Sequence, residues 1–203
     1  MLLNRRTLLA GGLAGALTAG IVGATPAWAI TAEQATAHVQ TTIEELVALL
    51  RQPGSAASRA PELRRIIETR GNLPQIARFS AGRVWREMTP EQQQRFVDAF
   101  ANYVAATYSR RFDEYAGDPQ ISIGRTIDVG DKGFLVETPI RQPQGDPVSV
   151  EWLVSDRGGR TEINDIIIEG VSMATTQREE IGAKFQSRGR DVEALITDLA
   201  AAG

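Results

Sequence analysis

One change of rhythm constrains this chain more than any other feature: near Pro119 the spacing of apolar residues switches from helical to strand-like. Before it, Phe96, Phe100, Tyr103, Val104, Tyr108, Phe112 and Tyr115 recur at about 3.6 residues per turn, the stripe of an amphipathic helix. After it, Ile121, Ile123, Ile127 and Val129 alternate with polar neighbours, the period of a half-buried strand. A chain that runs helices first and strands later, without interleaving them, cannot build parallel crossover units and is expected to form an α+β domain.

The strand block continues through Gly130, Asp131, Lys132 and Gly133, a tight turn, into Phe134, Val136, Thr138 and Ile140 on one face. Pro143, Gly145 and Pro147 separate that strand from a third, in which Val148, Val150, Trp152 and Val154 alternate without error. A turn at Asp156 to Gly159 leads to a fourth, Thr161 to Glu169. Helix signals lie on both sides. Thr31 with Gln34 makes a capping box for a helix running to about Gln52, and Pro53 to Ser58 read as a loop. Pro61 to Glu68 and Leu73 to Val84 follow, the latter broken near Gly82. Thr89, Pro90 and Gln92 open the long helix, which Gly117 and Pro119 end. Two helices close the chain, the first from near Thr176 with Glu179 at its third position, the second after Asp191. The expected architecture is a curved antiparallel sheet of about four strands packed with several helices. A sheet curled around helices either fills itself with side chains or encloses an apolar cavity, and pattern alone does not choose.

The N-terminus has the layout of a secretory signal: Arg5 and Arg6, a small and apolar run from Thr7 to Ile21, then Pro26, Ala27, Trp28 and Ala29. Residues 1–29 are therefore expected to be cleaved, leaving 30–203 as one exported domain. The order Asn4, Arg5, Arg6, Thr7, Leu8, Leu9 also resembles a twin-arginine signal. Removing it takes two arginines and no acid from a chain with 22 basic and 25 acidic residues, so the mature protein is more acidic still. Nucleic acid is a poor partner for that charge.

Residues for chemistry are scarce. There is no cysteine, so thiol catalysis, disulfides and thiolate metal sites are excluded. His38 is the one histidine, expected on the surface, and without a second nitrogen or sulfur ligand it supports neither a catalytic zinc nor a serine triad. Gly11, Gly12 and Gly15 fall inside the leader, and no lysine-bearing phosphate loop occurs elsewhere. No cofactor is implied. Arg64, Arg65, Arg70, Arg78, Arg83 and Arg86 make the helical part basic, either as a solvated face or as a docking face for an anionic surface.

The stretch Asn164, Asp165, Ile166, Ile167, Ile168, Glu169, Gly170, Val171, Ser172, Met173 resembles the "D-x-x-x-E-G-V-S" segment of the MlaC (toluene-tolerance) family. Thr175, Thr176 and Gln177 continue the similarity, as does Phe185 through Gly189 and Asp191 to Leu195. Upstream, Gly82, Trp85, Thr89, Gln92, Phe96, Phe100, Tyr108 and Tyr115 are similar to the family's spacing around its long helix; Arg83, Val84 and Trp85 form a less aliphatic approach than the family pattern. The resemblance implies a cone like that of nuclear transport factor two, with lipid acyl chains between sheet and helices and the head group in solvent. It further implies a periplasmic, non-enzymatic phospholipid carrier that supports outer-membrane lipid asymmetry. Its implied partners are an inner-membrane ABC transporter with an MCE-domain ring and an outer-membrane lipoprotein and porin complex.

On that reading the candidate pocket residues are the large inward ones: Phe79, Trp85, Phe96, Phe100, Tyr103, Val104, Val136, Val150, Trp152 and Ile166. Ordinary core packing accounts for any single one of them equally well. Gly170 and Ser172 are expected to shape the turn after the last strand. Two alternatives stay open: a hopanoid or other isoprenoid cargo, and an isomerase-like enzyme on the same cone with Asp165 as base and Tyr103 or Tyr108 as oxyanion donor.

Overall fold

The computed structural model describes residues 30–112, 120–141, 146–156 and 159–202. The leader at 1–29, the helix end at Tyr115, Gly117 and Pro119, the loop residues Pro143 and Gly145, and Arg157 and Gly158 of the turn after the third strand lie outside them.

Helix α1 (Ala32–Leu50) starts on the reciprocal box expected for it: Thr31 N–H donates to Gln34 Oε1 at 2.9 Å and Gln34 N–H to Thr31 Oγ1 at 3.2 Å. Helix α2 (Ala56–Arg70) begins five residues before Pro61, because Ser55 caps it by accepting the N–H of Ser58; Pro61 sits inside the helix. Helix α3 (Leu73–Ala81) is capped by Asn72 and stops at Gly82. A 3-10 turn, Val84–Arg86, leads to α4 (Pro90–Phe112), again opened by a reciprocal box between Thr89 and Gln92.

The expected first strand is two short pieces, β1 (Gln120–Ile121) and β2 (Thr126–Asp128), and the second is likewise split into β3 (Phe134–Glu137) and β4 (Ile140–Arg141). Pro139 has no N–H to offer the ladder, which interrupts the second strand, while Gly124 N–H still donates to the carbonyl of Glu137 at 2.7 Å across the irregular stretch between β1 and β2. β1 pairs with β4 as a separate ribbon, while β2, β3, β5 (Val150–Asp156), β6 (Thr161–Ile168) and β7 (Val171–Ser172) form one antiparallel sheet in that order. Two of the isoleucines expected to face inward are exposed, Ile123 between β1 and β2 and Ile127 in β2, and it is Thr126 that meets α1, its hydroxyl 2.7 Å from that of Thr36. At Gly133, φ is +102° and a side chain would lie 2.2 Å from the carbonyl of Val154, so only glycine fits where the 3-10 turn Gly130–Lys132 feeds β3.

Between β5 and β6 the register slips once. Val154 faces Ile163 and Leu153 faces Asp165, so Asn164 is an extra residue without a cross-strand partner. Because of the bulge, Ile163, Ile166 and Ile168 all lie opposite the inward residues of β5, although Ile163 and Ile166 are three apart. β6 and β7 turn through Glu169 (φ +50°) and Gly170 (φ +76°), the left-handed pair of a tight hairpin. Ser172 ends β7 and caps α5 (Met173–Ser187), which therefore begins earlier than Thr176; the Thr176 hydroxyl instead donates to the carbonyl of Ser172, one turn back. Asp191 caps α6 (Val192–Ala201).

The interior is not one continuous core. One cluster joins α3, α4, α5 and α6 around Phe96, Phe100, Ile181 and Leu195; a second joins α1 to the sheet around Val39, Val136, Trp152 and Val154. A third, smaller one joins Leu49, Leu63, Ile66 and Ala105. His38 is half-buried, not a free surface residue: its Nε2–H donates to the carbonyl of Arg70 at 2.9 Å, pinning α1 to the end of α2.

Candidate functional site

A cavity of about 570 Å³ lies between the three clusters, within the size range of ligand sites. Each cluster gives it wall: Phe100 and Leu73 from the first, Val150, Trp152 and Ile163 from the second, Leu63 and Ile66 from the third. From α1 come Ile43, Leu46, Val47 and Leu50, none of them fully buried, which is the state of apolar side chains facing open space. On α4, Phe100, Val104, Tyr108 and Arg111 follow one another at steps of four, four and three, so a single helix face walls the cavity. The sheet adds Ile140, Ile166 and Ile168. The wall is thus overwhelmingly aliphatic and aromatic, suited to hydrocarbon.

Most of its few polar groups are already satisfied. The indole N–H of Trp152 donates to Thr138 Oγ1 at 2.8 Å, and the Thr138 hydroxyl donates to the carbonyl of Val150. Arg70 is held by both oxygens of Glu45, at 2.7 and 3.1 Å. The hydrogen bond from Arg70 holds the Glu45 carboxyl below the usual carboxylate range, and the carboxylate in turn raises the guanidinium. Asp165 Oδ1 accepts the N–H groups of Ile166 and Ala174 at 2.9 and 3.0 Å, and Oδ2 accepts the hydroxyl of Ser172 at 2.5 Å. Its lone pairs are committed to the junction of β6, β7 and α5. Tyr103 points away from it and donates to Glu180 Oε2 at 2.9 Å; burial first, and that carboxylate second, push its phenol up to about 12. Tyr108 does reach the wall, with its hydroxyl 3.4 Å from Met173 Sδ and its phenol raised chiefly by burial. Of the two phenols the enzyme alternative offers, Tyr103 does not share the cavity with Asp165; Tyr108 does, but both oxygens of Asp165 are already engaged by donors. Among the described residues, no three carboxylate or imidazole groups converge on one metal position.

Five of the ten candidate residues line the cavity: Phe100, Val104, Val150, Trp152 and Ile166. The other five do not. Phe96 lies one turn before Phe100, stacked on it with ring centres 6.0 Å apart, and Trp85 meets Phe96 edge-on at 6.3 Å, so both back the wall without forming it. Tyr103 faces α5, with the Lys184 ammonium 5.1 Å above its ring. Val136 is sealed between the sheet and α1. Phe79 is 43% exposed on the outer side of α3 beneath the guanidinium of Arg178, while Ile76, three residues earlier, takes the inward position. The residues missed by sequence reasoning are mainly the α1 stripe. It was visible as an amphipathic face, but such a face reads the same whether it covers a core or a cavity.

No helix of the described residues is long and apolar enough to cross a membrane. Among solved structures, the fold is similar to a phospholipid-binding protein from Ralstonia solanacearum, determined in complex with a phospholipid. The two share a TM-score of 0.67 at 21% identity, over 83% of this chain and 96% of that one. Among curated proteins, the toluene tolerance protein ttg2D of Pseudomonas putida is 24% identical over 115 residues, 55% of this chain and 51% of the relative, so the chain spans about half the length of that protein. The profile of the MlaC protein family matches residues 40–201, from within α1 to the last residue of α6. The chain belongs to the MlaC family.

Proposed function

We propose that this protein is an exported lipid carrier that holds phospholipid acyl chains in the cavity between α1, α2, α4 and the sheet, and that it catalyses no reaction. The carrying observation is the cavity itself: three separate cores kept apart by a space whose wall is almost wholly apolar. The phospholipid held by the similarly folded Ralstonia protein supports the same cargo class. Phe100, Val104, Val150, Trp152 and Ile166 are the proposed chain contacts, joined by the α1 stripe.

Energetics favours exchange over permanent capture. Burial from water is worth about 0.8 kcal/mol per methylene, so two long chains would exceed any useful affinity if water were the alternative. The alternative is a bilayer, in which the chains are already out of water. A carrier need only approach that environment to load and unload reversibly, and direction must come from an energised partner. That partner, on this reading, is an inner-membrane ABC transporter bearing an MCE-domain ring, with an outer-membrane lipoprotein and porin complex at the other end, and the periplasm between them. The signal-like leader at residues 1–29 supports export.

Native mass spectrometry of residues 30–203, purified from a periplasm without detergent and followed by lipid extraction, tests the reading. A stoichiometric phospholipid is the expected result; a hopanoid would keep the mechanism and change the cargo. A folded protein that carries no lipid and takes none from liposomes would end the carrier reading.

A further inference from the structure

Two arginines line the cavity, and they are not equivalent. Arg70 is neutralised by the two-point contact with Glu45 already described. Arg111, on the cavity face of α4, has its ion-pair contact with Glu180 at 3.9 Å, the outer limit of such a pair, and its guanidinium lies 5.4 Å from the ring centre of Tyr108. The other oxygen of Glu180 accepts from Tyr103 and from Gln177 Nε2, so this carboxylate is shared among three donors. Among the described residues Arg111 has no closer acidic partner, and at 46% side-chain exposure it sits where wall meets solvent.

A second group on the same wall is incomplete. Gln177 is buried, its Nε2 is used by Glu180, and its Oε1 accepts no hydrogen bond. A buried amide oxygen without a donor costs free energy that a bound molecule with an O–H or N–H would recover. Close by, the Tyr108 hydroxyl lies 3.4 Å from the Met173 thioether, a weak acceptor, and next to the Gln177 amide, and it can turn to a better acceptor. Thus one end of an otherwise apolar cavity offers a guanidinium, a phenolic donor and an unsatisfied amide acceptor.

We infer that this end, Arg111 with Tyr108 and Gln177, is a site for the phosphodiester of the lipid head group, so that the protein selects phosphate-bearing lipids over neutral lipids with the same chains. The assignment rests on the carrier reading and specifies its cargo. The guanidinium supplies the charge-assisted hydrogen bonds that phosphate oxygens accept, Tyr108 adds a neutral donor, and Gln177 Oε1 takes a donor from the head group beyond the phosphate.

The test equilibrates delipidated protein with vesicles containing equal amounts of dioleoyl phosphatidylglycerol and dioleoylglycerol, re-isolates the protein and measures bound lipid by mass spectrometry. The native protein should enrich phosphatidylglycerol by about tenfold over the vesicle ratio, the worth of one charged hydrogen bond. Arg111→Gln and Arg111→Met should return the ratio to that of the vesicle, with circular dichroism and the thermal midpoint of each variant checking that it folds. Millimolar inorganic phosphate should leave the enrichment intact, and its loss there would reassign the site to the free anion and overturn the inference. Equal uptake of both lipids by the native protein, or full enrichment in both variants, would overturn it while leaving the carrier intact. Uptake of neither lipid by any of the proteins would remove the carrier reading and this assignment together.

Discussion

The hydroxyl of Ser172 donates to Asp165 Oδ2 over 2.5 Å, and through that bond β7 and the first turn of α5 are fastened to β6. The same carboxylate accepts the N–H of Ala174 within α5 and of Ile166 within β6. Asp165→Ala would leave two backbone donors and a hydroxyl without their acceptor, and is expected to cost about 2 to 3 kcal/mol in urea denaturation. Asp165→Asn, which keeps one acceptor oxygen, should cost less. Equal stability of the alanine variant and the native protein would contradict the fastening role.

Wall and core residues should separate in their effects. Leu46→Trp replaces an aliphatic side chain of the wall by an indole and should lower lipid per protein in native mass spectrometry, with little change in the thermal midpoint, because there is room for the added volume. Phe96→Ala lies behind the wall in fully packed surroundings and should cost about 3 to 5 kcal/mol. If the two substitutions destabilised the protein alike, the cavity would not be the open space described.

The pair between Glu45 and Arg70 gives a prediction about acid. The folded-state pKa of Glu45 is depressed, so the stability it contributes is present above its unfolded value, about 4.3, and is lost as pH falls through the folded value. Both side chains are about a quarter exposed, which limits the contribution to about 1 kcal/mol or less. Comparing the native protein with Glu45→Gln, the difference in thermal midpoint at pH 7 should shrink progressively between about pH 5 and pH 3.

Tyr103 makes the alkaline counterpart. Its pKa is pushed up to about 12 while an unfolded tyrosine titrates near 10, so the native state holds the phenolic proton more tightly. The resulting stability is complete below about pH 10 and is lost as pH rises toward 12. Ultraviolet titration should show late-ionising tyrosines in the folded protein, Tyr103 and the buried Tyr108, and Tyr103→Phe should shrink that late absorbance change without abolishing it. An undiminished late change in the variant would contradict the assignment to Tyr103.

The helices capped by a reciprocal box, α1 and α4, and the alternating strands around Val136 and Val150 follow from local chemistry and were legible in the sequence. Other boundaries depended on competition between equally good local signals. Pro61 has the geometry of a first-turn residue, yet Ser55 starts α2 earlier; Thr176 with Glu179 imitates a cap, yet Ser172 takes the role because β7 delivers it there. The division of the first strand depended on which partner strand each half meets, information that is not local. At the site, the stripe on α4 was legible, but its division between wall and backing was not, since Phe96 and Phe100 differ only in which neighbour each finds one turn apart.

Asn164 holds a further consequence. Deleting it would keep every existing pair between β5 and β6, with Ile163, Ile166 and Ile168 still on the inward side, and would remove the bend that an unpaired residue imposes on its strand together with one polar side chain of the wall, which donates to Ser155 Oγ at 2.8 Å. The shape of the cavity can therefore change by the gain or loss of a single codon while its aliphatic lining stays the same.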